Sequence, residues 1–197
     1  MESSQKTWPA LLAKKFNLDY ECYAYPGQGN FKILCDLISE AGLDDPALMI
    51  INWTWIDRFD YVNEFEQWST LRPVSDSSLN DFYYRNLHSQ FKDILTSVYA
   101  INTAVDFLNE RKIPFVMSYM DYNILETVDP DWHDPRYLSV VQNKVKKYLV
   151  DFQGKNFLDW SRDQGFPISK SWHPLEDAHQ AAAEYMMPKV EKLLDNK

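Results

Sequence analysis

The sequence predicts an α/β fold: a mostly parallel sheet with helices on both faces, a three-layer α/β/α sandwich. Two observations carry this. The runs "ALMIINW" (47–53) and "IPFVMSYM" (113–120) are continuously apolar, as strands buried on both faces of a parallel sheet are. Between and around them the apolar positions recur at helical spacing. Strands that alternate with helices wrap into a sheet covered on both sides.

Taken in order, Thr7 is placed to cap a helix through "WPALLAKKF", with Pro9 tolerated in its first turn. "DYECYAY" (19–25) reads as a strand and "PGQG" (26–29) as a turn. Asn30 is placed to cap "FKILCDLISEA", which Gly42 ends. After the 47–53 strand comes an irregular aromatic stretch, "TWIDRFDYVNEFEQWSTLRP". A long helical pattern runs from about Asn80 to Lys112, followed by the 113–120 strand. "DYNILETVDPDWHDP" is a polar, proline-bearing loop, and a helix runs from about Pro135 to Phe152. "KNFLDW" (155–160) reads as a short strand. The last helix, "HPLEDAHQAAAEYMMPKVEKLL", holds Pro188, which should kink or break it. The length of 197 residues suits a single domain, residues 1–197.

Composition removes several function classes. The net charge of −9 and the lack of a basic stripe argue against nucleic acid and anionic membranes as partners. No apolar run approaches the ~20 residues of a membrane span. The opening "MESSQKTWPALL" lacks the basic-then-apolar pattern of a signal peptide. Cys22 and Cys35 read as two buried thiols in a reducing compartment, so the expected location is cytoplasmic.

In parallel α/β sheets ligands bind beyond the C-terminal ends of the strands. That rule selects the turn at Pro26–Asn30, the segment after Trp53 and the loop after Met120. In the first, Gly27 lets its backbone approach an oxyanion closely, though a plain strand-to-helix turn needs the same glycine. In the second, Thr54 and Arg58 are candidate substrate contacts, while Arg58 is equally suited to pairing with Asp57 or Asp60. Asp129, Asp131, His133 and Asp134 match no calcium-loop or zinc spacing, so no metal is expected. His88 and His179 fall inside helical patterns and read as packing or surface residues. His173 precedes Pro174, which keeps it out of helical geometry and in a projecting loop, the position a general base needs.

Taken together, "TWPALLAKKFNLDYECYAYPGQGN" and "SWHPLEDAHQAAAEYM" resemble the SGNH (GDSL-type) hydrolase superfamily, with the closest likeness to members from marine bacteriophages. The resemblance runs from about Thr7 to the C-terminus. It implies a flavodoxin-like three-layer domain that cleaves acyl esters of sugars or lipids without a cofactor. By position, Gly27 and Asn30 match the family's glycine block as oxyanion and substrate donors, and His173 matches the catalytic base. The chain departs from the pattern in three places. The family's first strand and its serine nucleophile block would stand before "TWP", where only residues 1–6 precede, so that strand is expected to be missing. "WTWIDR" stands where the family's Gly-x-Asn-Asp block would end the "ALMIINW" strand, and Lys170 stands where an acidic residue usually precedes the histidine.

Two further readings stay open. One is a non-catalytic binding module whose cleft and aromatic segment, Trp53 to Trp68, hold a carbohydrate or a protein partner. The other is a phosphate-binding domain using "PGQGN" as an anion turn. The sequence assigns neither an oligomeric state nor a nucleophile.

Overall fold

A computed structural model describes residues 4–74, 77–126 and 136–195. The two apolar runs become β1 (Met49–Trp53) and β4 (Phe115–Tyr119), which pair in parallel with Met49 opposite Phe115 and Trp53 opposite Tyr119. A third parallel segment joins β4 through one bridge, Met117 to Leu149, with Val150 N–H donating to Met117 O at 2.8 Å. The side chains of each strand alternate between two cores. Ile51, Trp53, Met117 and Tyr119 face one, packed against α2 (Asn30–Leu43), α4 (Gln90–Glu110) and α5 (Arg136–Val145). Ile50 and Val116 face the other, with α1 (Trp8–Lys15), α6 (Phe157–Asp163) and α7 (Glu176–Asp195). The result is the α/β/α layering expected from the sequence.

The edge of β1 is open. Met49 N–H donates to Pro114 O, and Trp53 O accepts from Met120 N–H, both at 2.9 Å. Odd-numbered residues of β1 therefore turn their backbone groups toward β4, and Ile50 and Asn52 turn theirs outward. Among the described residues no strand pairs with that side.

The first correction concerns the segment between α1 and α2. "DYECYAY" is not a strand: residues 18–25 form no ladder and most are exposed. Its alternation of acidic and aromatic residues suits a strand, but a strand persists only where a neighbour takes its backbone hydrogen bonds. Residues 18–25 instead run beside α1, where Tyr20 Oη meets Thr7 Oγ1 at 3.2 Å. The second correction is "KNFLDW", which forms α6. Asn156 caps it by accepting Asp159 N–H at 2.8 Å, and its Nδ2 donates to Met120 O at 2.9 Å. A cap followed by an acidic first turn is a helix start, and it outweighs the short apolar run.

Smaller corrections concern caps and breaks. Thr7 stands at the N-cap of α1 but its hydroxyl makes no cap bond, being held by Tyr20. Asn30 is inside α2 rather than capping it. The capping oxygens come from Asp60, whose Oδ1 accepts Gly29 N–H at 2.9 Å and whose Oδ2 accepts Lys32 N–H at 2.8 Å. Gly42 lies within α2, which ends one residue later. The aromatic stretch holds an antiparallel hairpin, β2 (Phe59–Val62) and β3 (Trp68–Leu71). The long helical pattern divides into α3 (Ser78–Asn86) and α4, because the Ser89 side chain accepts Lys92 N–H and restarts the helix. The helix expected to reach Phe152 stops at Val145. α7 runs through Pro188 unbroken. Cys22 and Cys35 are both free thiols, and Cys22 is exposed rather than buried. No described helix is long and apolar enough to cross a membrane.

Candidate functional site

Gly27, Asn30, Thr54 and Arg58 come together where α2 begins and β1 ends. The Asn30 side chain is buried and closes a network. Its Oδ1 accepts Thr54 N–H at 2.8 Å, and its Nδ2 donates to Thr54 O at 3.2 Å and to Ser97 Oγ at 3.0 Å. Both halves of the amide thus hold the chain after β1 against α2 and α4. Arg58 Nη1 donates to Gln28 O at 2.9 Å and so braces the glycine turn; burial lowers the guanidinium's affinity for its proton. Gly27 has φ +85°, and a Cβ there would stand 2.8 Å from Arg72 Nη1. The turn therefore needs glycine for its backbone angle, while the Arg72 guanidinium is the mobile end of its side chain and could give way. Its own N–H meets no acceptor among the described residues.

His173 lies elsewhere, in an exposed turn before α7. The turn is closed on itself: Ser169 N–H donates to His173 O at 2.8 Å, and His173 N–H donates to Ser169 Oγ at 3.0 Å. Ser169 and Ser171 bond one another at 3.0 Å, so the nearest hydroxyls serve the turn's backbone and each other. Ser118 is buried and donates to Asn52 Oδ1 at 2.9 Å. The acidic loop at Asp129, Asp131, His133 and Asp134 lies outside the described residues.

α1 and α7 begin side by side. Lys6 Nζ pairs with Glu176 Oε1 at 2.6 Å, and Trp8 N–H donates to His179 Nδ1 at 3.2 Å. His179 therefore satisfies one orphan donor of the α1 N-terminus, which only the unprotonated Nδ1 can do. Burial, and to a lesser degree His173, pushes the His179 pKa below its ordinary value. A pKa depressed in the folded state gives stability that is complete above the unfolded value near 6.5 and is lost as pH falls below it. Thermal unfolding of the wild type should therefore weaken on acidification through that range more steeply than that of His179→Asn, whose Oδ1 keeps an acceptor without titrating. Parallel melting-temperature profiles for the two proteins would show that His179 plays no such part.

No family model and no curated protein matches the chain. A solved structure, an acetyl xylan esterase (Est2A) from the rumen bacterium Butyrivibrio proteoclasticus, is similar in fold. The identity is 16% and the TM-score 0.49, over 98% of this chain and 56% of that one. The chain thus spans little more than half the length of that esterase.

A second cluster stands at the C-terminal ends of β1 and β4, and the sequence reading did not assemble it. A cavity of about 220 Å³ opens there between Ile56, Asp57, His88, Asp93, Asp121 and Asn123. Asp121 is fully engaged, with Oδ2 accepting Ile56 N–H at 3.1 Å and Oδ1 accepting Asn123 N–H at 3.0 Å. The Asp93 side chain is 4% exposed, with Oδ1 3.2 Å from Lys92 Nζ and Oδ2 2.9 Å from His88 Nε2. That last contact has the separation of an ion pair, yet Oδ2 receives no aligned hydrogen bond. Burial raises the pKa of Asp93 and of Asp57, and the Asp121 charge adds to the effect on Asp57. The local signal for this cluster was "HSQFKD": a serine cap that places Asp93 one turn into α4, beside His88.

Proposed function

We propose that the protein is a carboxylic-ester hydrolase of the SGNH type, acting on acyl esters of sugars or lipids with His173 as general base. The observation that supports this reading is the pairing of the two helix starts. Lys6 to Glu176 and Trp8 to His179 bring the segment ahead of α1 up to the turn that carries His173. The reading requires a serine within reach of the His173 imidazole; Ser4, in that segment, has its Oγ 3.3 Å from Lys6 N. The serine Oγ attacks the ester carbonyl carbon while its proton passes to the imidazole. Collapse of the tetrahedral intermediate breaks the ester C–O bond, and the same proton goes to the leaving alcohol. Water then releases the acid by the reverse use of the base. The Asn30 amide is committed to Thr54 and Ser97, which leaves the Gly27 N–H as the oxyanion donor, and the reading requires the glycine turn and the separate His173 turn to face one carbonyl. Thr54 and Arg58, engaged here with Asn30 and Gln28, are the proposed substrate contacts beside the turn. No cofactor enters this chemistry.

The test is labelling with a fluorophosphonate probe followed by peptide mapping. One modified serine, absent from heat-denatured protein and from His173→Ala, is the expected result. A native protein that takes no label, or a label indifferent to His173→Ala, would remove the hydrolase reading.

A second reading, a non-catalytic binding module for a carbohydrate, is favoured by one feature of the hairpin. Trp68 and Phe31 are partly exposed, their rings 6.0 Å apart, with Lys32 Nζ 5.4 Å from the Trp68 ring. Aromatic faces of this kind suit sugar rings. Saturable quenching of tryptophan fluorescence by oligosaccharides, lost in Trp68→Ala and accompanied by no probe labelling, would select it.

A further inference from the structure

We propose that His179 is a pH-sensitive latch between the first and last helices: neutral, it holds the start of α1 against α7, and protonated, it lets residues 4–7 and the first turn of α1 come away. The proposal concerns a joint in the fold and stands whether or not the chain hydrolyses esters. Trp8 is the first residue of α1, so its N–H has no acceptor within the helix. It donates instead to His179 Nδ1 at 3.2 Å, 171 residues along the chain. An acceptor at Nδ1 places the neutral ring's proton on Nε2. Protonation puts a second N–H on Nδ1, facing the Trp8 N–H, and the bond becomes donor against donor.

The setting of the ring makes its charge costly. His179 is in the first turn of α7, and the bond from Trp8 sets it at the head of α1 as well. Both helix ends present the positive pole of the macrodipole, which disfavours a cation. The charged groups around the ring do not offset this. Lys6, ahead of α1, and Glu176, at the start of α7, are paired with each other at 2.6 Å. Asp177, beside Glu176, is exposed. His173, in the turn before α7, adds charge of the same sign. α6 brings the uncharged Phe157 ring, 4.9 Å from that of His179. Burial and His173 accordingly lower the His179 pKa from its ordinary 6.5. The docked form prefers the neutral ring, so acidification below that value moves the equilibrium toward release. The other ties at this joint are weak or point elsewhere. The Lys6–Glu176 pair is exposed on both sides and contributes little in water. The Thr7 hydroxyl is held by Tyr20, not by α7. Deeper in, Leu12 shares a core with Ala182, Ala183 and Met186, which keeps the body of α1 on α7 and confines the change to its beginning.

The experiment is hydrogen exchange by NMR on the whole chain, from about pH 7.5 to about pH 4.5, on either side of the ordinary histidine value. The His179 ring is titrated in the same samples. Each exchange rate is referred to the intrinsic rate at that pH, so that the readout is a protection factor. The Trp8 amide should lose protection by about tenfold as His179 gains its proton, the effect of one hydrogen bond turned to repulsion. The amides of Ile101 and Val105, buried in α4, should keep theirs. In His179→Asn, Trp8 should stay protected across the range. If that variant does not fold, the wild-type profile decides the matter alone. A Trp8 amide unprotected at neutral pH, or protection that is flat through the His179 titration, would overturn the proposal. So would a loss shared equally by the α4 amides, which is global unfolding, or the same loss in folded His179→Asn.

Discussion

Asn30→Ala is expected to destabilise the protein by about 3–5 kcal/mol, because it strands several buried groups at ~1–3 kcal/mol each. The amide serves Thr54 N–H, Thr54 O and Ser97 Oγ at once, and none of these has water as an alternative. The loss should appear in urea unfolding as a lower midpoint with an unchanged slope. Asn30→Asp should rescue little, since it keeps the acceptor for Thr54 N–H but removes both donors and adds a buried charge. The comparison also bears on chemistry. An asparagine that contributes to an oxyanion hole must have a donor to spare, and here both directions of the amide are occupied. A loss below ~1 kcal/mol would mean that the network is not fully formed in solution and would return Asn30 to the catalytic candidates.

Phe152→Ala should cost a similar amount, about 3–5 kcal/mol, by opening a cavity that its neighbours are too rigid to fill. Phe152 is 0% exposed. Its ring lies 6.1 Å from that of Trp8, 5.3 Å from those of Phe157 and Trp160, and 5.7 Å from that of Tyr185. One residue therefore joins α1, α6 and α7, so its removal should loosen all three together. Near-ultraviolet circular dichroism, to which these packed rings contribute, should fall along with the urea midpoint. A variant that keeps both within a small margin of wild type would show that this aromatic core repacks freely. The effect should reach the loop before α7 as well, since α7 loses the contacts that fix it against the sheet.

The central strands were legible because burial on both faces leaves an unmistakable apolar run. β1 and β4 fall inside the stretches read as strands. α7 was legible from its alanine-rich spacing, and it continues through Pro188. The misread elements are those whose fate depends on a distant partner. Residues 18–25 alternate as a strand should, but no neighbouring strand accepts them. The β2–β3 hairpin is half-buried along most of its length, so it shows no clean alternation. The same distinction holds for the sites. The glycine turn at Gly27 is local and could be read directly. Asp60 as the cap of α2 could not, because it stands 31 residues from Gly29. Nor could the acidic cavity, whose members come from the ends of β1 and β4 and from the start of α4. His88 reads as a helical histidine in the sequence, but it lies in the break between α3 and α4, with its Nε2 2.9 Å from Asp93 Oδ2.

The outward-facing backbone of β1 has a consequence for how the molecule behaves in company. A ladder edge recognises any extended chain, whatever its side chains, and at high concentration the nearest extended chain belongs to another copy. Two such edges laid against each other would extend the sheet across a two-fold axis. What opposes this is modest: β1 is only five residues long, and the exposed Asn52 sits near its end. Colloidal behaviour is thus tied to the same open edge, and whatever strand covers it would act as a solubiliser as much as a structural partner.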